Sequence, residues 1–122
     1  MFVNLSNHAS DNWSQAQRDA AQGLGGPILD FEFPEVPPED DFAGVERIAE
    51  QITATAMEWK PLAVMVQGEF TLTYRLVKIF ELRKVPCYAA TSRRVTETFQ
   101  EAGGATVKKT RFEFVRFRRY EE

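Results

Sequence analysis

The stretch that most constrains the fold runs from residue 61 to residue 94, where two short apolar segments flank a segment with helical periodicity. Residues 62–66 are too few for a buried helix and lie between turn residues, which predicts a strand covered on both faces. Residues 71–84 carry apolar side chains at helical spacing and a cationic C-terminal end, which the helix macrodipole favours. Residues 87–90 predict a second buried strand. A strand, a helix and a strand with short joints form a βαβ unit, so parallel strands with a right-handed crossover are expected.

The opening residues repeat this arrangement of elements. Residues 1–5 predict a strand, Ser14 begins a helix within a capping-box sequence, and residues 28–31 predict the next strand. A longer helix, which an aspartate at residue 40 or 41 can cap, is predicted to reach about residue 59. Together these elements predict an α/β fold: a Rossmann-like, mainly parallel sheet with strand order 2-1-3-4 and helices on both faces.

After residue 94 the helical periodicity gives way to alternation. Residues 95–99 and 106–120 are rich in β-forming residues and are separated by a glycine-containing turn, which predicts a β-hairpin. A bulge between Phe114 and Val115 would reconcile the two registers of alternating aromatic and apolar residues. We therefore expect one domain over residues 1–122. Its βαβαβαβ core spans residues 1–94, and its C-terminal hairpin, residues 95–122, extends the sheet or projects from it.

Composition excludes several classes of protein. A single cysteine excludes a disulfide framework within one chain, and with a single histidine it excludes a Cys/His zinc site built by one subunit. No metal or cofactor is therefore expected. No signal peptide or membrane-spanning segment is visible, so a cytoplasmic protein without membrane contact is expected. Residues 1–90 hold 7 Lys and Arg against 13 Asp and Glu (−6), whereas residues 91–122 hold 8 against 5 (+3), which permits an anionic ligand.

Polar residues follow three of the predicted parallel strands. The carboxyl ends of parallel strands meet at one edge, where open α/β sheets bind ligands at a topological switch point, here between the first and third strands. Gly68 would let a ligand approach the backbone closely, and the helix N-termini after Ser14 and Thr71 would offer amides to a phosphate. The three converging loops comprise Ser6, Asn7 and His8; Gln67, Gly68 and Glu69; and Thr91, Ser92, Arg93 and Arg94.

Each of these residues also has an ordinary structural explanation. A single histidine in a loop is usually solvated, and Glu69 can cap the following helix as readily as it can move a proton. The arginine pair can be a solvated face. The spacing around Gly68 is not that of a dinucleotide fingerprint or a P-loop, and Ser6 and His8 lack an evident carboxylate partner for a hydrolase triad. In combination, the three loops predict a small pocket for a phosphorylated or nucleotide ligand.

The order of these motifs resembles that of a known family. A Ser/His loop follows the first strand, Val-Gln-Gly-Glu occupies residues 66–69, Ala-Thr-Ser-Arg-Arg occupies residues 90–94, and Phe-Val-Arg-Phe-Arg-Arg-Tyr ends the hairpin at residues 114–120. This arrangement resembles the small stand-alone CRISPR-associated proteins of the Csx class. Those proteins are similar to the CARF domain, a Rossmann-like sensor of cyclic oligoadenylates in type III systems, and some are ring nucleases that degrade this messenger.

The resemblance covers nearly the whole chain, through short motifs. Serine and histidine are adjacent in those relatives, whereas Asn7 separates them here, so Ser6, Asn7 or His8 could take the family role. The resemblance implies a CARF-like ring nuclease whose ligand is a cyclic oligoadenylate, with cyclic tetra-adenylate the expected ring, rather than a long nucleic acid. Cleavage would need no metal, because a ribose 2′-hydroxyl can attack the neighbouring phosphate.

The resemblance also implies roles for individual residues. His8 or Glu69 would move protons, and an arginine would face the phosphate. Two alternatives stay open: a non-catalytic sensor or sponge for the messenger, and a small α/β protein acting on another phosphorylated metabolite. The expected catalytic residues are His8, Ser6, Glu69 and Arg93, and the expected ligand-binding residues are Asn7, Gln67, Gly68, Thr91, Ser92 and Arg94.

A homodimer is expected as well. A two-fold axis would present two copies of the Ser6–His8 loop and of the arginine pair to a rotationally symmetric ring. Exposed aromatic residues of the hairpin, such as Phe117 or Tyr120, are expected to contribute to the contact between subunits.

Overall fold

The computed structural model describes residues 1–122 as five strands and three α-helices built around one sheet. A short 3₁₀ turn, Ser10–Asn12, precedes the first helix. The strands are β1 (Phe2–Ser6), β2 (Ile28–Glu32), β3 (Ala63–Val66), β4 (Cys87–Gln100) and β5 (Thr106–Arg119), and the helices are α1 (Gln15–Gly25), α2 (Phe42–Glu58) and α3 (Phe70–Leu82).

The sheet is mostly parallel and has the order β2-β1-β3-β4-β5. β1 pairs in parallel with β2 and β3, and β3 pairs in parallel with β4, whereas β4 and β5 are antiparallel. The α/β class and the parallel arrangement are therefore confirmed. The order 2-1-3-4 needs correction to 2-1-3-4-5, because β5 is the fifth strand and lies at the edge of the same sheet.

The division of the chain at residue 94 is a second correction. β4 runs unbroken from Cys87 to Gln100, so one strand serves both as the fourth parallel strand and as the first strand of the hairpin. Pairing with β5 keeps the strand continuous: the Thr91 hydroxyl donates to the Arg116 carbonyl at 2.9 Å, and the two strands are paired from Tyr88 to Gln100. The predicted bulge is confirmed. Thr91 pairs with Arg116 and Ser92 pairs with Phe114, so Val115 has no partner in β4.

Helices cover both faces of the sheet, as predicted. Side chains alternate across each strand, so Val3 and Leu5 face α2 and α3 in a cluster of 15 buried residues, whereas Phe2 faces α1 in a cluster of 6. Burying one such aliphatic or aromatic side chain contributes about 1.5–3 kcal/mol. The smaller cluster also contains Trp13 and Phe117, which anchors β5 beneath α1.

The predicted helix starts are also confirmed. Ser14 caps α1 by accepting a hydrogen bond from the Gln17 amide at 3.2 Å, and Asp41 caps α2 by accepting one from the Gly44 amide at 3.2 Å. None of the helices combines the length and the apolar composition needed to cross a bilayer.

Candidate functional site

A polar cleft of about 350 Å³ lies on the α1 side of the sheet, at the carboxyl ends of β1 and β3 and beside Ala90 and Ser92 in the first half of β4. β1 and β3 are neighbours whose following helices lie on opposite faces, so this edge is the topological switch point. Of the predicted site residues, His8, Gln67 and Ser92 line the cleft. The remaining lining residues come from the start of α1 and from β4 and β5: Asn12, Trp13, Ser14, Gln17, Ala90, Phe112 and Phe114.

The backbone of His8 is fixed while its side chain is left exposed. Its carbonyl accepts hydrogen bonds from Asn4 Nδ2 at 2.8 Å and from Trp13 Nε1 at 3.1 Å. Its amide donates to Ser6 Oγ at 3.2 Å. The imidazole is solvent-exposed, lines the cleft and makes no hydrogen bond within the chain. The loop therefore holds the ring at the cleft without occupying its two nitrogens.

Ser6 and Asn4 form the buried support of this loop. Ser6 Oγ donates to Asn4 Oδ1 at 2.7 Å, and Asn4 Nδ2 also donates to Asp30 Oδ1 at 2.9 Å. Both side chains are buried, and neither lines the cleft. Ser6 thus lies beneath the cleft, where its hydroxyl bonds the Asn4 side chain and the His8 amide. Sequence reasoning missed Asn4, although an asparagine inside an otherwise apolar strand is a signal that could have identified it.

Gln67 and Gly68 lie at the end of β3. Gln67 Oε1 accepts a hydrogen bond from the Ala90 amide at 2.6 Å, and its carboxamide nitrogen remains available to a ligand. A Cβ at position 68 would lie 2.5 Å from the ring of Phe33, so this glycine is required by packing against that ring. Gly68 does not line the polar cleft.

Glu69 is the N-cap of α3. Its carboxylate accepts hydrogen bonds from the amides of Thr71 at 2.8 Å and Leu72 at 2.9 Å, and from the Thr71 hydroxyl at 2.7 Å. Burial alone would raise the pKa of Glu69, but these hydrogen bonds outweigh it and lower the pKa. Glu69 is therefore ionised near neutral pH, is engaged by the helix, and does not line the cleft.

We expect Glu69→Ala to destabilise the protein by about 0.5–2 kcal/mol at neutral pH, the usual effect of removing a cap. The pKa of Glu69 is lower in the folded than in the unfolded state, so the stabilisation is complete above the unfolded value of about 4.3 and is lost as the pH falls through the folded value. Urea denaturation should therefore show the difference from wild type shrinking in strong acid. A difference that persists there would contradict the capping role, and Glu39→Ala, at an exposed loop position, is the control.

Residues 91–94 belong to β4, so their side chains do not all point toward the cleft as those of a loop could. Ala90 and Ser92 line the cleft on the α1 face, whereas Ala89 lines a cavity on the opposite face. By alternation along β4, Thr91 and Arg93 project with Ala89. The Thr91 hydroxyl is also engaged by the backbone of β5.

Arg94 projects with Ser92 and lies opposite the cleft residue Phe112. Arg93 and Arg94 are thus separated by the sheet, because a strand sends consecutive side chains to opposite faces. Asn7 is exposed and lines neither this cleft nor the cavity on the α3 face. No group of three or more His, Cys, Asp or Glu side chains lies close enough together to hold a metal ion.

Fold and site together define a mainly parallel α/β protein with a polar cleft at its switch point. The model of the uncharacterized protein MJ1673 family matches residues 1–118, so the chain belongs to that family. No curated protein and no solved structure matches the chain.

Proposed function

We propose that this chain is a ring nuclease of the CARF-like, Rossmann-like class, which cleaves a cyclic oligoadenylate in the cytoplasm and so ends type III CRISPR signalling. The observation that carries the proposal is His8, the only histidine of the chain, whose free imidazole lies in the switch-point cleft on a fixed backbone. The cleft also lies beside the N-terminus of α1, where unpaired amides and the helix dipole favour a phosphate.

The proposed reaction is a transesterification within the ligand. The ribose 2′ oxygen forms a bond to the adjacent phosphorus, and the bond from phosphorus to the 5′ oxygen breaks. The 2′-hydroxyl proton passes to a base, and the departing 5′ oxygen gains a proton, so the products carry a 2′,3′-cyclic phosphate and a 5′-hydroxyl. His8 is positioned to transfer one of these protons. The N-terminus of α1, with Arg94 on the same sheet face, would stabilise the phosphate charge.

The size of the cleft supports a two-fold assembly. A volume of about 350 Å³ is near the lower end of the range for small-molecule sites, so one cleft suits part of a ring rather than the whole. Beyond the bulge, β4 and β5 form a two-stranded arm, an arrangement that is marginally stable alone. The arm exposes Phe112, which is 72% accessible, and Phe99. Phe117, expected to be exposed, is buried, so these two residues are better suited to a contact between subunits.

Sedimentation is expected to show a dimer at micromolar concentration. A monomer that the ligand leaves unchanged would contradict the assembly, because a single cleft would then have to hold the ring alone. Phe112→Ser should shift the equilibrium toward monomer, since it removes an exposed aromatic side chain without affecting the core. Ser92→Ala, on the facing strand, is the matched control for the assembly.

One observation favours the sensor or sponge alternative. A catalytic base is commonly oriented by a further side chain, and the His8 imidazole has no such partner within the chain. A ligand or a second subunit would have to supply that orientation for cleavage. The two functions share the cleft and differ only in whether the bound ring is cut.

The proposal is tested by incubating the purified protein with cyclic tetra-adenylate and cyclic hexa-adenylate, each with and without EDTA. Ring opening that is insensitive to EDTA is the expected result, with linear tetra-adenylate as the control for general ribonuclease activity. Binding without cleavage over hours would favour the sensor. Neither binding nor cleavage would overturn both functions and favour an α/β protein for another phosphorylated metabolite.

A further inference from the structure

A second cavity, of about 550 Å³, lies at the same sheet edge on the α3 face. Its volume is within the range of small-molecule sites. The lining is largely aromatic and apolar with a few polar groups, and the residues on which the argument depends are Gln67, Phe70, Thr73, Tyr74, Lys78 and Ala89. None of these side chains except Gln67 lines the polar cleft.

Two aromatic side chains of this cavity are exposed to an unusual degree for their size. Phe70 is 90% accessible and Tyr74 is 60% accessible. They are four residues apart in α3, so they lie on the same side of the helix. The ammonium group of Lys78, one turn further on, lies 5.6 Å from the centre of the Tyr74 ring. The ammonium covers one face of Tyr74, so the other face of Tyr74 and the Phe70 ring are left to a planar partner at the mouth of the cavity.

Polar groups in the cavity remain available to that partner. Gln67 uses its carbonyl oxygen to hold the Ala90 amide, which leaves the carboxamide nitrogen as a donor. The buried hydroxyl of Thr73 has no hydrogen-bond partner within the chain. A heterocycle with ring nitrogens and an exocyclic group would satisfy such donors, whereas a purely apolar occupant would leave them unpaired.

The charged side chains that line the cavity balance each other. Lys78 and Glu121 both line it and form an ion pair, with Lys78 Nζ 3.0 Å from Glu121 Oε1, so the cavity suits an uncharged heterocycle. Arg118 lies opposite Ala89 in the β4–β5 register, and Arg93 alternates along β4 onto the same face. These two exposed arginines lie outside the cavity lining, where they would attract an anionic ligand toward this face of the sheet.

Gln67 joins the cavity to the polar cleft, because it lines both. A ligand that crossed the sheet edge at this residue would have its ring system on the α3 side and its sugar and phosphate near His8. The cleft and the cavity therefore meet at Gln67, on opposite faces of the switch-point edge between β1 and β3.

We infer that the cavity on the α3 face is a nucleobase-binding site, in which the base of a nucleotide stacks on Phe70 and Tyr74. That the base is adenine rests on the proposed function. The stacking itself does not, because every base has an aromatic face.

The direct test titrates the ¹⁵N-labelled protein with adenosine 5′-monophosphate and, separately, with ribose 5-phosphate, which lacks the base. We expect the nucleotide to shift the amide signals of Gly68, Phe70 and Ala89, and ribose 5-phosphate to leave them in place at the same concentration. Equal shifts with both compounds would overturn the inference. So would nucleotide shifts confined to His8 and Trp13 in the polar cleft.

Substituting the two aromatic residues tests the same site through its affinity for the nucleotide. Tyr74→Ala and Phe70→Ala should each weaken binding of adenosine 5′-monophosphate by roughly 5- to 150-fold, the loss of one base–aromatic stack. Leu82→Ala, at an exposed apolar position of the same helix outside the cavity, should leave the affinity unchanged. Unchanged affinity in both aromatic variants would overturn the inference. A changed oligomeric state with unchanged affinity would do the same and would identify a protein contact instead.

Failure of the nucleobase site and failure of the proposed ring nuclease would give different experimental results. A protein that neither binds nor cleaves cyclic tetra-adenylate, yet shows the expected nucleotide shifts, would retain the base site and lose the ring nuclease. A protein that cleaves the ring with wild-type kinetics in the Tyr74→Ala and Phe70→Ala variants, without nucleotide shifts, would retain the nuclease and lose the base site.

Discussion

Replacing His8 by alanine is expected to slow cleavage of cyclic tetra-adenylate by roughly 10²- to 10⁴-fold, the usual loss when a proton-transfer group is removed. Binding should be largely kept, because the loop is held through the His8 backbone rather than through its imidazole. Single-turnover cleavage, measured alongside equilibrium binding of the uncut ring, separates the two effects.

Asn7→Ala is the informative comparison. Sequence resemblance leaves the family role open among Ser6, Asn7 and His8, but only His8 lines the cleft. We therefore expect Asn7→Ala to cleave at a rate close to that of wild type. A large loss in Asn7→Ala together with wild-type cleavage in His8→Ala would contradict the assignment and would require the loop to rearrange when the ligand binds.

Phe117→Ala is expected to destabilise the protein strongly, by about 3–5 kcal/mol. Phe117 is 6% accessible, and its ring centre lies 5.1 Å from that of Phe2 and 5.0 Å from that of Phe114. Its removal would leave a cavity between the sheet and α1 and would weaken the attachment of β5.

Phe112→Ala provides the matched control on the same strand. Its side chain is largely exposed, so its loss should change the free energy of unfolding by no more than about 0.5 kcal/mol. Chemical denaturation of both variants, at a concentration where each has the same oligomeric state, compares them directly. Equal and small effects would mean that β5 is not part of the packed sheet, contrary to the structure.

The sequence predicted the elements whose signals are local. Helical periodicity, the caps at Ser14 and Asp41, and the short apolar strands were sufficient for the parallel order of the first four strands. The residues at 91–94 were predicted as a loop because polar residues follow an apolar run. Pairing with β5 overrides that local preference and keeps the segment extended.

The extended conformation of residues 91–94 changes which side chains can reach the candidate site. A loop would let Arg93 and Arg94 converge with His8, whereas a strand sends them to opposite faces. Trp13 could not be assigned from sequence, because its contribution depends on Nε1 reaching the His8 carbonyl and on packing against Phe117. Phe112 enters the site because it pairs with Arg94 of β4, whereas the predicted hairpin began only at residue 95.

In the proposed reaction the ligand supplies its own nucleophile, the ribose 2′-hydroxyl, in the cleft that contains His8. Mass spectrometry of the products that wild-type protein forms from cyclic tetra-adenylate in EDTA identifies this nucleophile. We expect linear fragments that end in a 2′,3′-cyclic phosphate and a 5′-hydroxyl. An intact ring, or fragments that carry a 5′-phosphate and a 3′-hydroxyl, would contradict it.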